Sequence, residues 1–214
     1  MKVLASGERE PRKIASGPTM TARQMVSAVK RLTAGWSYDV VSIGYPAPVA
    51  HGKPIAEPKN LGPGWVGFDF AKAFGKPVRL INDAAMQALG SYRGGRMLFL
   101  GLGTGLGSAL IVDGSIVPME IAHLPYKRGK SYEHYLGARG LRRLGKKRWQ
   151  KEVREVVARF RRALEVDYTV LGGGNARLVE KPPPQTLLGS NANAFLGGFQ
   201  LWRDSARRRG AGRS

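Results

Sequence analysis

Cysteine is absent and only three histidines are present. Without thiols there is no disulfide framework and no thiolate zinc or iron–sulfur site, and three scattered imidazoles do not make a transition-metal site, so no structural zinc is expected. Acidic residues are also scarce. Asp and Glu number 15 against 35 Lys and Arg, a formal net charge of +20 over 214 residues. Long apolar runs are missing as well. The stretch between Arg96 and Asp113 is broken by four glycines and falls short of the roughly 20 residues of a membrane span. Residues 1–8 hold no apolar core of a signal peptide before charge returns. These absences point to a soluble protein of a reducing cytoplasm with no membrane contact.

What is present suits a packed domain. The composition, 43% apolar and 23% charged, is ordinary for a globular chain, and the length fits one large domain or two small lobes. A chain this basic attracts polyanions through a field blind to sequence. Much of the excess lies between Arg139 and Arg162 and in the tail from Arg207 to Ser214, and it is not interleaved with aromatics. No helix-turn-helix, zinc finger or RNP-like pattern occurs. Specific nucleic-acid binding is therefore not expected, whereas a polyanion such as polyphosphate is an admissible partner.

Alternation of apolar and breaker residues gives an α/β order. Thr21-Ala22-Arg23-Gln24 has the form of a capping box, and Met25, Val26, Val29 and Leu32 follow at helical spacing until Gly35. Residues 39–45 read as a buried strand stopped by Pro46 and Pro48, with a Gly- and Pro-rich loop to Trp65. Val78 to Asp83 is a strand running into a helix at Ala84–Gly90. Met97–Gly101, Ser108–Val112 and Ile116–Val117 form a meander turned at Asp113-Gly114. Tyr132–Leu144 and Lys146–Leu164 are predicted helices, Tyr168–Leu171 a strand, and Ala194–Trp202 a last helix.

Several short patterns could carry chemistry. Gly101 to Gly107 alternates glycines around Thr104, which leaves backbone N–H groups bare for a phosphate or simply packs a hairpin closely. It is neither a Walker A nor a dinucleotide fingerprint. Asn82-Asp83 at a strand end reads either as a helix cap or as a general base with a hydroxyl ligand beside it. Glu120-x-x-His123 offers a carboxylate and an imidazole to a polyol, and Glu133 opens a helix, where a carboxylate also suits the dipole. Gly172-Gly173-Gly174 suits close approach of a ring or phosphate, or a helix entry.

In this order the patterns resemble the ROK family of sugar kinases, closest to its polyphosphate/ATP glucokinase-like branch, over about residues 3 to 202. Residues 42–49, 60–65, 123–126 and 191–198 add to the resemblance. It implies an actin/hexokinase-like (ribonuclease H-like) α/β fold of two lobes with the sugar in the cleft. Residues 1–93 would form the N-terminal lobe, 94–190 the C-terminal lobe, 191–204 a helix packing back, and 205–214 a disordered basic tail. Asp83 would be the catalytic base. Asn82, Glu120, His123, Glu133 and, more weakly, Asn60 would bind the sugar. Gly103, Thr104 and Gly105 would hold donor phosphate, and Gly173 and Gly174 the nucleotide end. The donor would be ATP or polyphosphate, carrying Mg²⁺, the acceptor a hexose, with glucose first, and the assembly a homodimer.

Two features depart from the family pattern. The opening Met1-Lys2-Val3-Leu4-Ala5 lacks the family's first strand and Asp-x-Gly-Gly-Thr turn, so the expected fold lacks the first strand of its N-terminal lobe. Ala47 and Ala122 stand where the family usually carries glycine, and an added methyl there could block a left-handed backbone or close approach of the sugar. Three readings stay open: a hexose kinase, a catalytically impaired sugar-binding or regulatory relative or truncated gene product, and a basic polyanion-binding protein on this scaffold.

Overall fold

The computed structural model describes residues 1–210, from 204 onward by backbone alone. The chain divides into two compact units. One comprises residues 1–83 and the last helix from Gly198 onward, the other residues 84–197. The division thus falls at Asp83–Ala84, whereas the sequence placed the lobe boundary after residue 93.

The first unit opens with an antiparallel pair, β1 (Lys2–Val3) and β2 (Arg12–Lys13). Helix α1 (Ala22–Leu32) follows with its capping box closed: Gln24 N donates to Thr21 Oγ1 at 3.3 Å, and Thr21 N donates to Gln24 Oε1 at 2.9 Å. Then come β3 (Val41–Tyr45), the small hairpin β4 (Val49–Ala50) and β5 (Lys53–Pro54), α2 (Phe70–Phe74) and β6 (Val78–Asn82). Strands β3 and β6 run parallel, with Tyr45 opposite Asn82. Met25, Val26 and Val29 of α1 pack with Tyr45, Trp65, Phe70, Phe74 and Leu80 to form the core. Each such buried side chain contributes on the order of 1.5–3 kcal/mol.

The loop after β5 is rich in Gly and Pro. Glu57 gives it shape. Its carboxylate accepts from the backbone N–H groups of Gly64, Trp65 and Val66 at 3.1–3.3 Å, and Trp65 Nε1 donates to Gly62 O at 2.7 Å. Tyr45 Oη donates to Ala56 O at 2.9 Å. Burial, and after it the Glu57 charge, push the Tyr45 hydroxyl up to about 12.

The second unit carries α3 (Asp83–Ser91), which starts one residue earlier than expected, and the meander β7 (Arg96–Leu102), β8 (Leu106–Val112) and β9 (Ser115–Met119). Asp113 and Gly114 have φ of 47° and 81°, the two left-handed residues that such a tight hairpin turn requires. A 3₁₀ turn, Ile121–His123, leads to β10 (Pro125–Lys127), β11 (Lys130–Ser131), α4 (Tyr132–Leu136) and α5 (Ala138–Leu164). Strand β12 (Tyr168–Gly172), a 3₁₀ turn at Ala176–Leu178 and β13 (Thr186–Leu188) complete the sheet. Its order is β13-β12-β7-β8-β9, with β13, β12 and β7 parallel and the meander antiparallel.

Leu98, Leu100 and Leu102 of β7 pack with Trp149, Val153, Val156 and Val157 of α5, and Trp149 Nε1 donates to Leu136 O at 2.9 Å. Phe99, between them in sequence, is equally buried and lies beside Gly101 and Gly172. Cover on both faces explains why β7 reads as an unbroken apolar run.

Where one helix was expected over 132–144, two are found. Gly137 leaves the helical path at ψ 176°, and the break expected between the helices at Gly145 is present with φ 72°. The extra break has a cause: Ala138 N donates to Gly103 O at 3.0 Å and to Thr104 O at 3.1 Å, and a Cβ at Gly137 would sit 2.9 Å from Thr104 O. Helix α6 (Asn193–Gly210) runs past Trp202, through the start of the stretch expected as a basic tail. Residues 211–214 of that tail lie outside the described residues. Ser42 Oγ donates to Gly198 O at 2.6 Å and accepts from Trp202 Nε1 at 2.9 Å, and the Arg79 guanidinium stacks on the Trp202 ring. Among the described residues no helix is long and apolar enough to cross a membrane.

Candidate active site

In the second unit the glycine bend between β7 and β8 is held from several sides by backbone. Leu102 pairs with Leu106, Gly103 N donates to Gly105 O at 3.1 Å, and Asn175 donates through its backbone N to Leu102 O at 2.9 Å and through Nδ2 to Gly103 O at 3.2 Å. Gly173, at φ 80°, brings the chain so near that a Cβ there would lie 2.5 Å from Leu102 O. The two glycine-rich stretches predicted to hold donor groups, Gly103-Thr104-Gly105 and Gly173-Gly174, therefore form one backbone surface. Thr104 and Gly174 are exposed on it, and a Cβ at Gly103 or Gly174 would meet nothing within 4 Å. The space above Gly103 and Gly174 is open to a phosphate, with the Thr104 hydroxyl exposed beside it, while the Gly103 N–H is itself taken by Gly105 O.

Glu133 joins this surface. Its Oε2 accepts from Leu106 N at 3.4 Å and lies where a Cβ on Gly105 would go. Helix α4, which carries Glu133, also packs on the 3₁₀ turn that carries His123 and on β8. Ser108, buried in β8, fixes the entry to that turn by donating through Oγ to Met119 O at 2.7 Å and accepting from Ile121 N at 3.5 Å. Glu120 and His123 are exposed and share no hydrogen bond or ion pair with each other among the described residues. His134, next to Glu133, is held below the ordinary histidine range by burial and then by Arg143, Lys130 and Arg139.

In the first unit Asn82 ends β6 and donates through Nδ2 to Ala47 O at 3.3 Å, tying the strand end to the loop after β3. Asp83 follows, exposed in the first turn of α3, where its carboxylate also suits the helix dipole. Asn60 sits on an exposed turn whose Leu61 N donates to Pro58 O at 3.3 Å. The next residue of α3, Ala84, packs within the second unit on Gly107: a Cβ at Gly107 would lie 2.7 Å from Ala84 Cβ. Ala84 is thus seated on β8, the strand that leaves the glycine bend.

Neither alanine departure imposes the anticipated strain, because Ala47 and Ala122 are not among the residues with positive φ. Sequence reasoning overlooked Asn175, Gly137 and Glu57 as shaping residues. Only the Asn directly after three glycines gave any signal. Among the described residues no three histidine or carboxylate side chains gather to hold a metal.

No protein-family model matches the chain. Polyphosphate glucokinase of Mycobacterium tuberculosis (strain ATCC 25618 / H37Rv) is 29% identical over 169 residues, 70% of this chain and 61% of that protein. Polyphosphate glucokinase of Mycobacterium leprae (strain TN) is 26% identical over 179 residues, 77% of this chain and 54% of that protein. The chain thus spans 54–61% of the length of the curated relatives it matches. The inorganic polyphosphate/ATP-glucomannokinase from Arthrobacter sp. strain KM superposes with a TM-score of 0.71 at 24% identity, covering 89% of this chain and 86% of that one. In sequence the chain is similar to these polyphosphate glucokinases, and in fold it is similar to ROK sugar kinases. A ROK family glucokinase from Streptomyces griseus, solved with glucose and AMPPNP, has a TM-score of 0.68 at 18% identity, covering 91% of each chain. The fold is accordingly the actin/hexokinase-like α/β fold of the ROK structures.

Proposed function

We propose that the chain is a hexose kinase that transfers a phosphoryl group from ATP or polyphosphate to the 6-hydroxyl of glucose. The observation that carries this reading is the glycine surface of the second unit, open above Gly103 and Gly174 and bordered by Glu133 at Gly105. In the proposed step the sugar hydroxyl oxygen attacks the terminal phosphorus and its proton passes to the Asp83 carboxylate. The phosphorus–oxygen bond to the donor breaks, releasing ADP or a shortened polyphosphate. Asn82, Glu120, His123, Glu133 and Asn60 hold sugar hydroxyls. The amides around Gly103–Gly105, with the Thr104 hydroxyl, take donor phosphate, and Gly173 and Gly174 take the nucleotide end. Magnesium enters as the counter-ion of the donor. Such a reaction asks the protein mainly for positioning, a base and charge stabilisation.

The test is coupled-assay phosphorylation of glucose with ATP and with polyphosphate, comparing the chain with Asp83→Ala. Donor-dependent turnover lost in the variant supports the reading. Glucose binding without turnover from either donor would instead favour a sugar-binding relative.

A further inference from the structure

The longest helix carries a charged stripe that the proposed chemistry does not use. After the break at Gly145, α5 buries Trp149, Val153, Val156 and Val157. Helical spacing puts Lys147, Lys151, Arg154 and Arg162 on the opposite side, in line with the exposed Ala158. At 1.5 Å per residue the stripe extends about 22 Å. None of these four cations forms an ion pair or a side-chain hydrogen bond among the described residues. The acids of the same helix do not neutralise them, because Glu152 and Glu155 accept from Lys127, with Glu155 also paired to Arg159.

Four unpaired cations along one helix face, about a turn apart from Lys147 to Arg154 and two turns from there to Arg162, match an extended anion better than a single phosphate. Small Ala158 leaves the middle of the row unobstructed. No aromatic side chain lies on the stripe, so it offers bases no stacking platform. An anion made of charge alone loses nothing by that. We propose that this face of α5 is a docking surface for inorganic polyphosphate, apart from the residues assigned to phosphoryl transfer. The inference rests on the reading of polyphosphate as a donor and adds a place where the chain is retained between turnovers, raising the effective concentration of its ends.

The test measures binding of a long-chain polyphosphate to the whole chain by fluorescence anisotropy. One variant carries Lys147→Ser, Lys151→Ser and Arg154→Ser. A control loses the same charge elsewhere through Lys30→Ser, Lys72→Ser and Lys76→Ser. The stripe variant is expected to bind at least about tenfold more weakly, with the slope of log K against log salt reduced by about 2, while the control stays near the parent. Equal weakening in both variants would reduce the effect to net charge and overturn the proposal, as would no weakening in either. Single-stranded DNA bound as tightly through the same three residues would also overturn it, in favour of a nucleic-acid surface. ATP-dependent glucose phosphorylation is followed in parallel and is expected to be unchanged in the stripe variant. Failure of the kinase reading shows there as no turnover with any donor, whatever the binding result.

Discussion

Gly90 of α3 and Gly197 of α6 cross with no room for a side chain on either. A Cβ on Gly197 would run into Met86 O and lie 3.0 Å from Gly90 N, and one on Gly90 would run into Asn193 O. Asn193 Nδ2 also donates to Ser91 Oγ at 2.8 Å. The obstruction is backbone on both sides and cannot rotate away. Gly197→Ala is therefore expected near the upper end of overpacking penalties, about 3 kcal/mol. Gly17→Ala, with open space around it, should change stability by no more than about 0.5 kcal/mol. Urea midpoints at constant m-value decide, and equal midpoints for the two variants would refute the close crossing.

Asp83→Asn tests the proposed base separately from binding. The amide keeps the shape of the side chain in the first turn of α3 and removes the proton acceptor. With glucose saturating, kcat should fall by about 10²–10⁴, the usual contribution of a positioned general base, with KM within a few-fold of the parent. A rise in KM at constant kcat would assign Asp83 to sugar binding instead.

The elements were legible where sequence period and punctuation agreed. The Thr21–Gln24 capping box, the Asp113-Gly114 turn, the apolar run of β7 and the break at Gly145 each depend on residues a few positions apart. The order of motifs was enough to indicate the ROK fold. What remained hidden depends on partners distant in sequence. Gly137 breaks a helix to meet a bend more than thirty residues upstream, Glu57 caps amides across a loop, and Asn175 reaches back to Gly103. The local pattern of Tyr132–Leu144 is helical throughout, so only the tertiary contact could reveal the break. Likewise the local case for Glu133 was a helix dipole, and its contact with Gly105 and Leu106 emerges only from the packing of α4 on β8.

That contact gives a further prediction. Gly105→Ala pushes a methyl into the place of the Glu133 carboxylate, and Glu133→Gln keeps the volume while removing the charge. If Glu133 holds a sugar hydroxyl, both changes should raise the glucose KM at least about tenfold, the size of losing one charge-assisted hydrogen bond. Far-UV circular dichroism should not change. A Gly105→Ala variant with unaltered KM would show that the carboxylate packs against the bend without serving the sugar.

The Lys127 cluster makes stability depend on pH at both ends. Lys127 Nζ donates to Glu155 Oε2 at 2.7 Å and to Glu152 Oε2 at 2.9 Å, and Tyr126 Oη donates to Glu152 Oε2 at 2.8 Å. The hydrogen bond from Lys127 holds the Glu155 carboxyl below its ordinary 4.5. A carboxyl lowered on folding adds stability that is present above 4.5 and lost as pH falls through the folded value. Burial opposes the charge on Lys127, but hydrogen bonds to Glu155, Tyr126 and Glu152 outweigh it and raise the ammonium above its ordinary 10.5. Its contribution is full below 10.5 and is lost as pH rises through the folded value. Between these limits the cluster should be worth about 1 kcal/mol, since its charges are partly exposed and screened. Lys127→Met should remove about that much at pH 7 and flatten both the acid and the alkaline limb of a plot of unfolding free energy against pH. A variant that keeps the parent's acid limb would place the acid sensitivity elsewhere in the chain.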